Sequence, residues 1–421
     1  MGQRENSHFK YVVLGFGVSG KPSYKLLKKL GFDVAVINSG PLSLWRNNLA
    51  DESDCFEQGS LAAKSVLAAA DYIVLSPGIP RGHESLKNIK AEIINDIELF
   101  YRFKKTKPKI VAITGSNGKT TTVTMLDEIL RRAGKSVFCG GNIGKSPIEF
   151  ILEGEREDIV LLELSSFQLE TVGQFYPDIA GILNIQMTHE ERYQHYDDYQ
   201  NAKLRILRSN NTGQRFYTDQ ATSHVAPAAL IYDSPSVIEE LKEKFDFSSF
   251  KLPGEHNILN LSMCVLMARD LGVEDFIIQD VINNFSGVKD RIEFVGEISK
   301  VKVFNDSKST NVFSTATAIN AFQGKKVLLL LGGQIRDHKN INIAEIEKLL
   351  GTVFRYAFFG ELAQIKEIKC EHRFYSLNDI DLKLLAKGVD VILFSPGFPS
   401  FDEFSNYVER GNCFRKIFSR V

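Results

Sequence analysis

The chain has 421 residues, and its 51 Lys plus Arg residues almost balance its 52 Asp plus Glu residues. The resulting net charge of −1 gives no field that would attract nucleic acid or an acidic membrane surface, so we expect neither partner. Five cysteines without a C-x-x-C pair argue against a disulfide framework or a zinc site. The N-terminal segment is polar and no apolar run approaches the ~20 residues of a membrane helix, so we expect a soluble cytoplasmic protein.

The first part of the chain predicts a βαβ unit of the dinucleotide-binding type. A strand runs into a G-x-G-x-x-G turn at residues 15–20, and a helix and a second strand ending at Asn38 follow. The turn alone suggests NAD, but Asn38 stands where an acidic ribose ligand is expected. A different nucleotide diphosphate, NAD(P) and an empty structural turn all remain open. A bridge rich in lysine at residues 104–109 ends this domain, which we place at residues 1–107.

A strand, a glycine loop and a helix over residues 110–130 form the centre of the sequence. The loop reads Gly115-Ser-Asn-Gly118-Lys119-Thr120, and apolar residues at helical spacing follow it. Its glycines would let backbone N–H groups face a phosphate, Lys119 would add a positive charge, and Thr120 would offer a hydroxyl to Mg²⁺. The loop is shorter than the full G-x-x-x-x-G-K-[ST] pattern, so an ordinary turn before a helix is the alternative. We predict a site for a nucleoside triphosphate.

Several polar residues after the loop could bind metal or nucleotide. Glu163 ends an apolar strand and would supply a carboxylate to the metal of a phosphate-loop enzyme, unless it simply faces water. His189 follows another buried strand as a possible second metal ligand, with a surface or capping role as the alternative. Lys203 lies on a predicted helix, where a solvated lysine is the usual interpretation. Asn257 and Asn260 are one helical turn apart, and their amides could hold a base or ribose, or serve only as caps or solvent-facing groups.

We predict three domains of the α/β class. The central one covers residues 108–287, and the segment from Gly287 marks the second boundary. Over residues 288–421, apolar strand runs alternate with helical stretches, which indicates a parallel sheet covered on both faces. The predicted fold is an N-terminal Rossmann-like domain, a central phosphate-loop ATPase-like domain with a mostly parallel sheet, and a C-terminal Rossmann-like domain.

The loops occur in the order seen in Mur ligases, and the chain resembles that family. The shared segments are residues 114–120, 140–144, 162–170, 202–205, 254–257, 305–311 and 331–333. The strings at 164–170 and 400–404 resemble most the branch that adds D-glutamate. The resemblance implies a monomeric ligase that uses ATP and two Mg²⁺ ions to add D-glutamate to UDP-N-acetylmuramoyl-L-alanine through an acyl phosphate, in peptidoglycan precursor synthesis.

The resemblance also implies roles for individual residues. The residues implied to bind the uridine diphosphate of the substrate are Val18, Ser19, Asn38, Ser39 and Gly78, and Asn142 is implied to contact the substrate. The residues implied to bind ATP are Gly115, Ser116, Asn117, Gly118, Lys119, Thr120 and Thr121, with Asn260, Arg291 and Asp306. Thr120 and Glu163 are implied to bind one Mg²⁺, and His189 and a carbamylated Lys203 the second. The implied catalytic residues are Lys119, Glu163, His189 and Lys203. The residues implied to bind D-glutamate are Lys308, Thr310, Arg336, Ser400 and Tyr407.

The chain departs from the family pattern at several positions. Thr188 precedes the histidine where an aspartate is usual, and Asn38 and Gly40 replace an aspartate and an arginine near the uracil. Arg336 or Lys339 would bind the D-glutamate carboxylate in place of the family lysine. The alternatives are a sister Mur ligase for another amino acid, a folylpolyglutamate synthase-like ligase, an NAD(P)-dependent Rossmann oxidoreductase, and a non-catalytic nucleotide-binding module.

Overall fold

The structure is a computed structural model that describes residues 9–46, 52–189, 192–207, 213–335 and 342–421. The chain divides into two compact units. The first comprises Met1–Lys244 with Leu259–Ile278, and the second comprises Phe245–Ile258 with Gln279–Val421. No helix in the described ranges has both the length and the apolar character that crossing a bilayer requires.

The N-terminal part of the first unit is a parallel sheet with helices around it. Its strands are β1 (Tyr11–Leu14), β2 (Val34–Asn38), β3 (Cys55–Glu57), β4 (Tyr72–Leu75) and β5 (Glu92–Ile94), in the order β3-β2-β1-β4-β5. Its helices are α1 (Gly20–Lys29), α2 (Leu42–Trp45), α3 (Leu61–Ala69) and α4 (Asp96–Phe103). The strand order reverses between β1 and β4, and ligands of open α/β sheets bind at such a switch point.

The rest of the first unit is built on a second parallel sheet. Its strands are β6 (Lys109–Thr114), β7 (Val137–Gly141), β8 (Ile159–Glu163), β9 (Ile179–Ile182), β10 (Arg215–Thr218) and β11 (Leu230–Ile231), in the order β11-β10-β9-β6-β8-β7. The helices over residues 119–284 are α5 (Lys119–Arg132), α6 (Ile148–Leu152), α7 (Ser166–Leu169), α8 (Tyr196–Leu204), α9 (Pro235–Lys244), α10 (Glu255–Asp270) and α11 (Asp275–Asn284), and the first turn of α10 and the second half of α11 are counted with the second unit. The chain leaves β6 toward one edge and later returns on its other side, so the carboxyl end of β6 is also a switch point.

The second unit contains a sheet that is parallel except at one edge. Its strands are β12 (Glu293–Ile298), β13 (Val301–Asn305), β14 (Val327–Gly332), β15 (Arg355–Phe359), β16 (His372–Phe374) and β17 (Val391–Gly397). The order is β12-β13-β17-β14-β15-β16, and β12 runs antiparallel to β13. The helices are α12 (Val312–Asn320), α13 (Ile343–Leu350), α14 (Leu382–Leu385) and α15 (Tyr407–Phe418). Strands β14 and β17 are buried along their whole length, as expected for a sheet with a core on each face.

The first two sheets share one hydrophobic core, which joins α4 to α6. The ring of Phe150 on α6 lies 5.9 Å from the ring of Phe100 on α4 and 5.7 Å from the ring of Phe138 on β7. A buried acid strengthens the same junction, because Glu98 on α4 accepts hydrogen bonds from the backbone N–H groups of residues 173–175 at 2.8 to 3.0 Å. These contacts join the two sheets of the first unit through α4 and α6.

The predicted fold class is confirmed, since the sheets are mostly parallel and helices alternate with strands along the chain. The antiparallel edge strand β12 was not predicted. The domain boundaries near residues 107 and 287 stay predictions.

Candidate active site

The loop between β6 and α5 has the shape of an anion-binding turn. Gly118 adopts φ 84°, a conformation that favours glycine. A Cβ atom at Gly118 would lie 2.5 Å from Asn260 Oδ1, and one at Gly115 would lie 2.9 Å from Leu183 Cβ, so both positions need glycine. Helix α5 begins at Lys119, and the N–H groups of a first helical turn have no intrahelical acceptor. The loop and the helix terminus together can bind phosphate.

The segment after β9 holds this loop in place. The backbone N–H of Ser116 donates to Asn184 O at 2.8 Å, and that of Asn117 donates to Asn184 Oδ1 at 3.0 Å. The Ser116 hydroxyl donates to Gln186 O at 2.8 Å and lies 2.9 Å from the hydroxyl of Tyr199. These hydrogen bonds hold the loop in one conformation, which lowers the entropic cost of binding a ligand there.

The side chains of Lys119 and Lys203 meet at one carbonyl of the loop. Lys119 Nζ donates to Gly115 O at 2.7 Å and to Ser116 O at 3.0 Å, and Lys203 Nζ donates to Gly115 O at 2.8 Å. Lys203 is 1% exposed, so it is not the solvated lysine that its sequence context suggested. Burial, together with the nearby charge of Lys119, lowers the pKa of Lys203 to about 7. A large fraction of its amine is therefore neutral near pH 7.

Glu163 ends β8 beside β6, and its carboxylate is buried rather than facing water. Its Oε1 accepts a hydrogen bond from Asn142 Nδ2 at 2.8 Å. Within the ranges that the structure describes, its Oε2 has no hydrogen-bond partner. A buried carboxylate oxygen without a partner is costly, and a divalent cation would satisfy it. Thr120 lies in the first turn of α5, which follows β6. Strand β6 pairs with β8, the strand that ends at Glu163.

His189 lies in the segment after β9 and is exposed. It adopts φ 63°, and its ring is 4.9 Å from the ring of Phe167. The hydroxyl of the preceding Thr188 lies 2.9 Å from the hydroxyl of Tyr199, the same group that contacts Ser116. Tyr199 thus connects the histidine segment to the phosphate loop.

Among the residues described, no three or more His, Cys, Asp or Glu side chains lie together in an arrangement suited to a metal ion. A metal at this site would therefore need ligands in addition to Glu163 and His189. The candidates are the oxygens of the Thr120 hydroxyl, of a modified Lys203 and of a bound phosphate.

A crevice of about 540 Å³ opens at the switch point of the N-terminal sheet. The residues predicted to bind the uridine diphosphate end of the substrate all line it, together with the predicted substrate contact: Val18, Ser19, Asn38, Ser39, Gly78 and Asn142. The structure therefore brings these residues together around one space. Their binding role stays a prediction.

The glycine turn at the mouth of this crevice is packed against the end of β4. A Cβ atom at Gly15 would lie 2.7 Å from Ser76 Cβ, and the Ser76 hydroxyl donates to Gly15 O at 3.0 Å. The backbone N–H of Phe16 donates to Asn38 Oδ1 at 3.0 Å. Asn38, which replaces the acidic residue of dinucleotide-binding turns, therefore supports the turn itself.

Five polar residues that line the crevice were not predicted, namely Gln58, Ser76, Asp96, Ser146 and Gln168. Gln168 lies within the string at 164–170 that carried the family resemblance, so a signal for it was present. Asp96 follows the helix cap Asn95 and looks like an ordinary acid of a first helical turn. Nothing in the local sequence distinguishes Ser146.

In the second unit, Arg291 lies just before β12 and Asp306 lies just after β13. Asp306 is buried and accepts hydrogen bonds from the hydroxyls of Ser309 and Ser395 at 2.6 and 2.7 Å and from the N–H of Ile292 at 3.2 Å. Burial raises the pKa of Asp306 to about 6, although these hydrogen bonds and the charge of Arg291 oppose the shift.

Among the described residues, those predicted to bind D-glutamate lie in the second unit, in loops or, for Tyr407, at the start of α15. Lys308 is exposed, and its Nζ lies 5.9 Å from the ring centre of Tyr407, the first residue of α15. Ser400 is buried and Thr310 is half-buried. Arg336 and the alternative Lys339 lie outside the described residues.

A buried arginine that was not predicted joins these loops. Arg410 on α15 donates from Nη2 to Ser307 O and from Nη1 to Phe398 O, both at 2.9 Å. It thereby connects the loop that carries Lys308 to the loop that carries Ser400. Burial lowers the pKa of Arg410 to about 10, so it remains charged at pH 7. In the sequence it looks like any arginine on a helix.

Comparison with known proteins identifies the family. Residues 9–98 match the model of the Mur ligase MurD-like N-terminal domain, and residues 113–227 match that of the Mur ligase middle domain. The chain is 34% identical over 433 residues to the UDP-N-acetylmuramoylalanine--D-glutamate ligase of Aquifex aeolicus, covering 97% of this chain and 98% of that protein. The protein of the same name from Thermoanaerobacter pseudethanolicus is 32% identical over 455 residues, covering 98% of each chain.

The chain belongs to the Mur ligase family. Two solved structures have a fold similar to that of this Mur ligase. The UDP-N-acetylmuramate-alanine ligase of Thermotoga maritima aligns with a TM-score of 0.52 at 17% identity, over 98% of this chain and 100% of that one. The MurF ligase of the same organism, solved in complex with ADP, aligns with a TM-score of 0.52 at 18% identity, over 97% of this chain and 95% of that one. At these identities the likeness establishes the fold alone.

This Mur ligase therefore presents its predicted site residues in separate groups. The phosphate loop, Asn260, Glu163 and Lys203 surround the carboxyl end of β6, and the substrate residues line the crevice. Arg291, Asp306 and the predicted D-glutamate residues belong to the second unit.

Proposed function

We propose that this Mur ligase adds D-glutamate to UDP-N-acetylmuramoyl-L-alanine and converts ATP to ADP and phosphate, a step of peptidoglycan precursor synthesis. One observation carries the proposal: the chain is 32 to 34% identical, over 97 to 98% of its length, to ligases named for D-glutamate. The phosphate loop, the buried carboxylate of Glu163 and the crevice supply the parts that such a reaction needs. The NAD(P) oxidoreductase alternative is not favoured, because Asn38 supports the glycine turn instead of offering an acid to a ribose.

The phosphate loop is the proposed ATP site. Within Gly115 to Thr121, the N–H groups at the start of α5 and the ammonium group of Lys119 would surround the β- and γ-phosphates and stabilise the charge that develops during transfer, while the N–H groups of Ser116 and Asn117 donate to Asn184. The amide of Asn260 lies against Gly118, which supports its proposed contact with the same nucleotide. From the second unit, Arg291 and Asp306 are proposed as ligands of the base, phosphates and ribose.

Two Mg²⁺ ions are proposed at this site. The hydroxyl of Thr120 and the carboxylate of Glu163 would hold one, and the Oε2 atom of Glu163, unpartnered among the described residues, fits this assignment. His189 and a carbamylated Lys203 would hold the other. The lowered pKa of Lys203 supports the modification, because only a neutral amine reacts with carbon dioxide. When bound, such ions neutralise the repulsion between a carboxylate and a triphosphate.

The reaction consists of two displacements. An oxygen of the L-alanyl carboxylate forms a bond to the γ-phosphorus, the bond to the bridging oxygen breaks, and ADP leaves. The amine of D-glutamate then attacks the acyl carbon, phosphate leaves with the bonding electron pair, and the new amide nitrogen loses a proton. Lys119 would hold the transferred phosphoryl group, and the Nδ2 group of Asn142 would keep Glu163 oriented.

The substrates are proposed to bind where the resemblance assigned them. The uridine diphosphate would lie on Val18, Ser19, Asn38, Ser39 and Gly78, with Asn142 contacting the remainder of the molecule. D-Glutamate would lie on Lys308, Thr310, Arg336, Ser400 and Tyr407. The fixed loops around Arg410 support this second assignment, because they hold Lys308 and Ser400 on one framework.

We also propose the domain limits 1–107, 108–287 and 288–421, with a hinge near Gly287. Each range contains the strands of one sheet, and Gly287 adopts φ 102°, which suits a turn between domains. We propose that the enzyme acts as a monomer in the cytoplasm. The five cysteines form no disulfide with one another, which is consistent with a reducing compartment.

Phosphate release with a panel of amino acids tests the function. ATP, Mg²⁺ and UDP-N-acetylmuramoyl-L-alanine should give phosphate with D-glutamate and little with L-glutamate, and UDP-N-acetylmuramate with L-alanine should give none. Preference for L-alanine or a diamino acid would point to a sister Mur ligase, and turnover of a folate would point to a folylpolyglutamate synthase. ATP binding without phosphate release would indicate a non-catalytic module. Binding of NADH, followed by its fluorescence, would revive the oxidoreductase.

A further inference from the structure

The crevice contains a buried acid that none of the assigned roles explains. Asp96 begins α4 and is 2% exposed, and its Oδ2 accepts a hydrogen bond from the Ser146 hydroxyl at 2.8 Å. In the part of the chain that the structure describes, its Oδ1 has no hydrogen-bond partner. Burial raises the pKa of Asp96 to about 6, although Ser146 and the amides of the first turn of α4 oppose the shift. At pH 7 the group is mostly ionised, so a ligand that donates a hydrogen bond would remove a substantial cost.

The neighbours of Asp96 belong to the crevice and to the segment that contacts Glu163. Ser146 lies between β7 and α6, and Asn142, at the end of β7, donates to Glu163 beside the phosphate loop. Val18, from the turn after β1, lines the same crevice. A sugar nucleotide whose diphosphate lies on that turn and whose carboxylate reaches the phosphate loop must place its sugar between them. Asp96, Ser146 and Asn142 line the same crevice as that turn, and Asn142 also contacts Glu163.

We propose that Asp96 Oδ1 accepts a hydrogen bond from the N-acetylmuramoyl group of the substrate, either from its acetamido N–H or from a hydroxyl. The inference rests on the proposed function, because it assumes a substrate with that sugar. An ionised carboxylate can only accept hydrogen bonds, so it selects a ligand with a donor at this point. A ligand without the donor would leave the charge unpaired, and sites of this kind discriminate strongly. Ser146 is a positioning residue that orients the carboxylate.

Calorimetric titration of two ligands tests the contact. UDP and UDP-N-acetylmuramoyl-L-alanine are titrated into the wild type, Asp96→Ala, Asp96→Asn and Ser146→Ala. Asp96→Ala should weaken binding of the sugar nucleotide about tenfold or more, since a hydrogen bond to a charged group is lost, and should leave UDP binding within about twofold. Asp96→Asn keeps an acceptor without the charge, so its loss should be smaller. Asp33→Asn, at an exposed acid of the same sheet, is the matched control and should bind both ligands normally.

A purely structural role would give a different pattern. If Asp96 only joins α4 to Ser146, then Ser146→Ala reproduces Asp96→Ala for both ligands, and the proposal is wrong. Equal weakening of UDP and the sugar nucleotide would overturn it as well, because the contact would then lie at the nucleotide. If Asp96→Ala does not fold, Asp96→Asn decides, and sugar-nucleotide binding as tight as in the wild type would count against the proposal.

Turnover measurements separate this inference from the proposed function. Asp96→Ala should raise KM for the sugar nucleotide and leave KM for ATP unchanged. If the wild type releases phosphate with D-glutamate while the variants bind the sugar nucleotide normally, only the role of Asp96 fails. If the wild type shows no turnover with D-glutamate yet its binding of the sugar nucleotide depends on Asp96, the proposed function fails and the contact stands.

Discussion

Lys203 Nζ donates a hydrogen bond to the carbonyl oxygen of Gly115 at 2.8 Å, from a side chain that is almost completely buried. A lysine in this position is close to a second ammonium group, that of Lys119, and its own pKa falls to about 7. The neutral amine is the form that reacts with carbon dioxide, and this is the basis for the proposed carbamylation of Lys203.

Replacement of Lys203 by alanine should remove most of the activity, and a small carboxylate should restore part of it. Formate or acetate can enter the space left by the side chain and supply the anionic oxygen that a carbamate would provide. Phosphate release is measured with increasing concentrations of each anion, and Lys119→Ala, which lacks a cation instead, serves as the control that no anion should rescue. Absence of rescue with unchanged Mg²⁺ dependence would exclude the carbamate.

The buried amine also predicts how stability changes with pH. In the folded protein the pKa of Lys203 is about 7, below its ordinary 10.5, so between these values the unfolded chain binds the extra proton. Stability should therefore rise with pH across this window, by roughly 2 kcal/mol from pH 7 to 9. Urea unfolding of the wild type and of Lys203→Met at both pH values measures the effect. The wild type minus variant difference isolates Lys203, and a difference independent of pH would contradict the burial argument.

Lys119→Ala should lower kcat about 100- to 1000-fold without unfolding the protein, because the ammonium group contacts loop carbonyls and not a hydrophobic core. Phosphate release gives the rate and thermal unfolding checks the fold. Lys135→Ala, at an exposed lysine just after α5, is the matched control and should retain full activity. Normal turnover in Lys119→Ala would remove the loop lysine from the mechanism.

Gly118→Ala should raise KM for ATP at least about tenfold, since its Cβ would lie 2.5 Å from Asn260 Oδ1 at a positive φ and distort the loop. Gly134 provides the control: it has φ 73°, and among the described residues nothing lies within 4 Å of an added Cβ. Gly134→Ala should cost about 1 kcal/mol of stability and leave ATP kinetics unchanged. Similar kinetics for the two variants would show that the close approach to Asn260 is unimportant.

Glu98→Gln should destabilise the first unit by about 2 to 3 kcal/mol, because a buried charged acceptor of backbone N–H groups becomes neutral. Arg102 contacts both Glu98 and the exposed Glu92, so Glu92→Gln is a control that shares the same partner. A surface pair contributes little, and this control should lose under about 1 kcal/mol. Urea unfolding compares the two, and equal losses would show that the helix α4 junction does not depend on Glu98.

The parts that the sequence predicted correctly are those with local causes. The phosphate loop is a contiguous pattern whose glycines are required by nearby atoms, and the parallel sheets follow from apolar strand runs separated by helices. The antiparallel pairing of β12 was missed, since pairing direction is set by how distant segments meet. The burial of Lys203 was not visible either, because its helix has no pronounced apolar face in the sequence.

Residues that act across long sequence separations were also missed. Arg410 contacts Ser307, and Asp96 contacts Ser146, through pairings that no spacing rule indicates. Each looks like an ordinary charged residue on a helix until tertiary structure buries it. The family resemblance assigned many positions in the crevice, but it gave no role to these polar supports.

The hydrogen bond from Asn142 to Glu163 has a further consequence for how ATP is used. The same amide side chain faces the crevice and orients the carboxylate beside the phosphate loop. An occupant of the crevice that presses on Asn142 therefore also adjusts Glu163. We expect this arrangement to slow the hydrolysis of ATP while the crevice is empty. ATP would then be consumed mainly when the substrate that receives its phosphoryl group is bound.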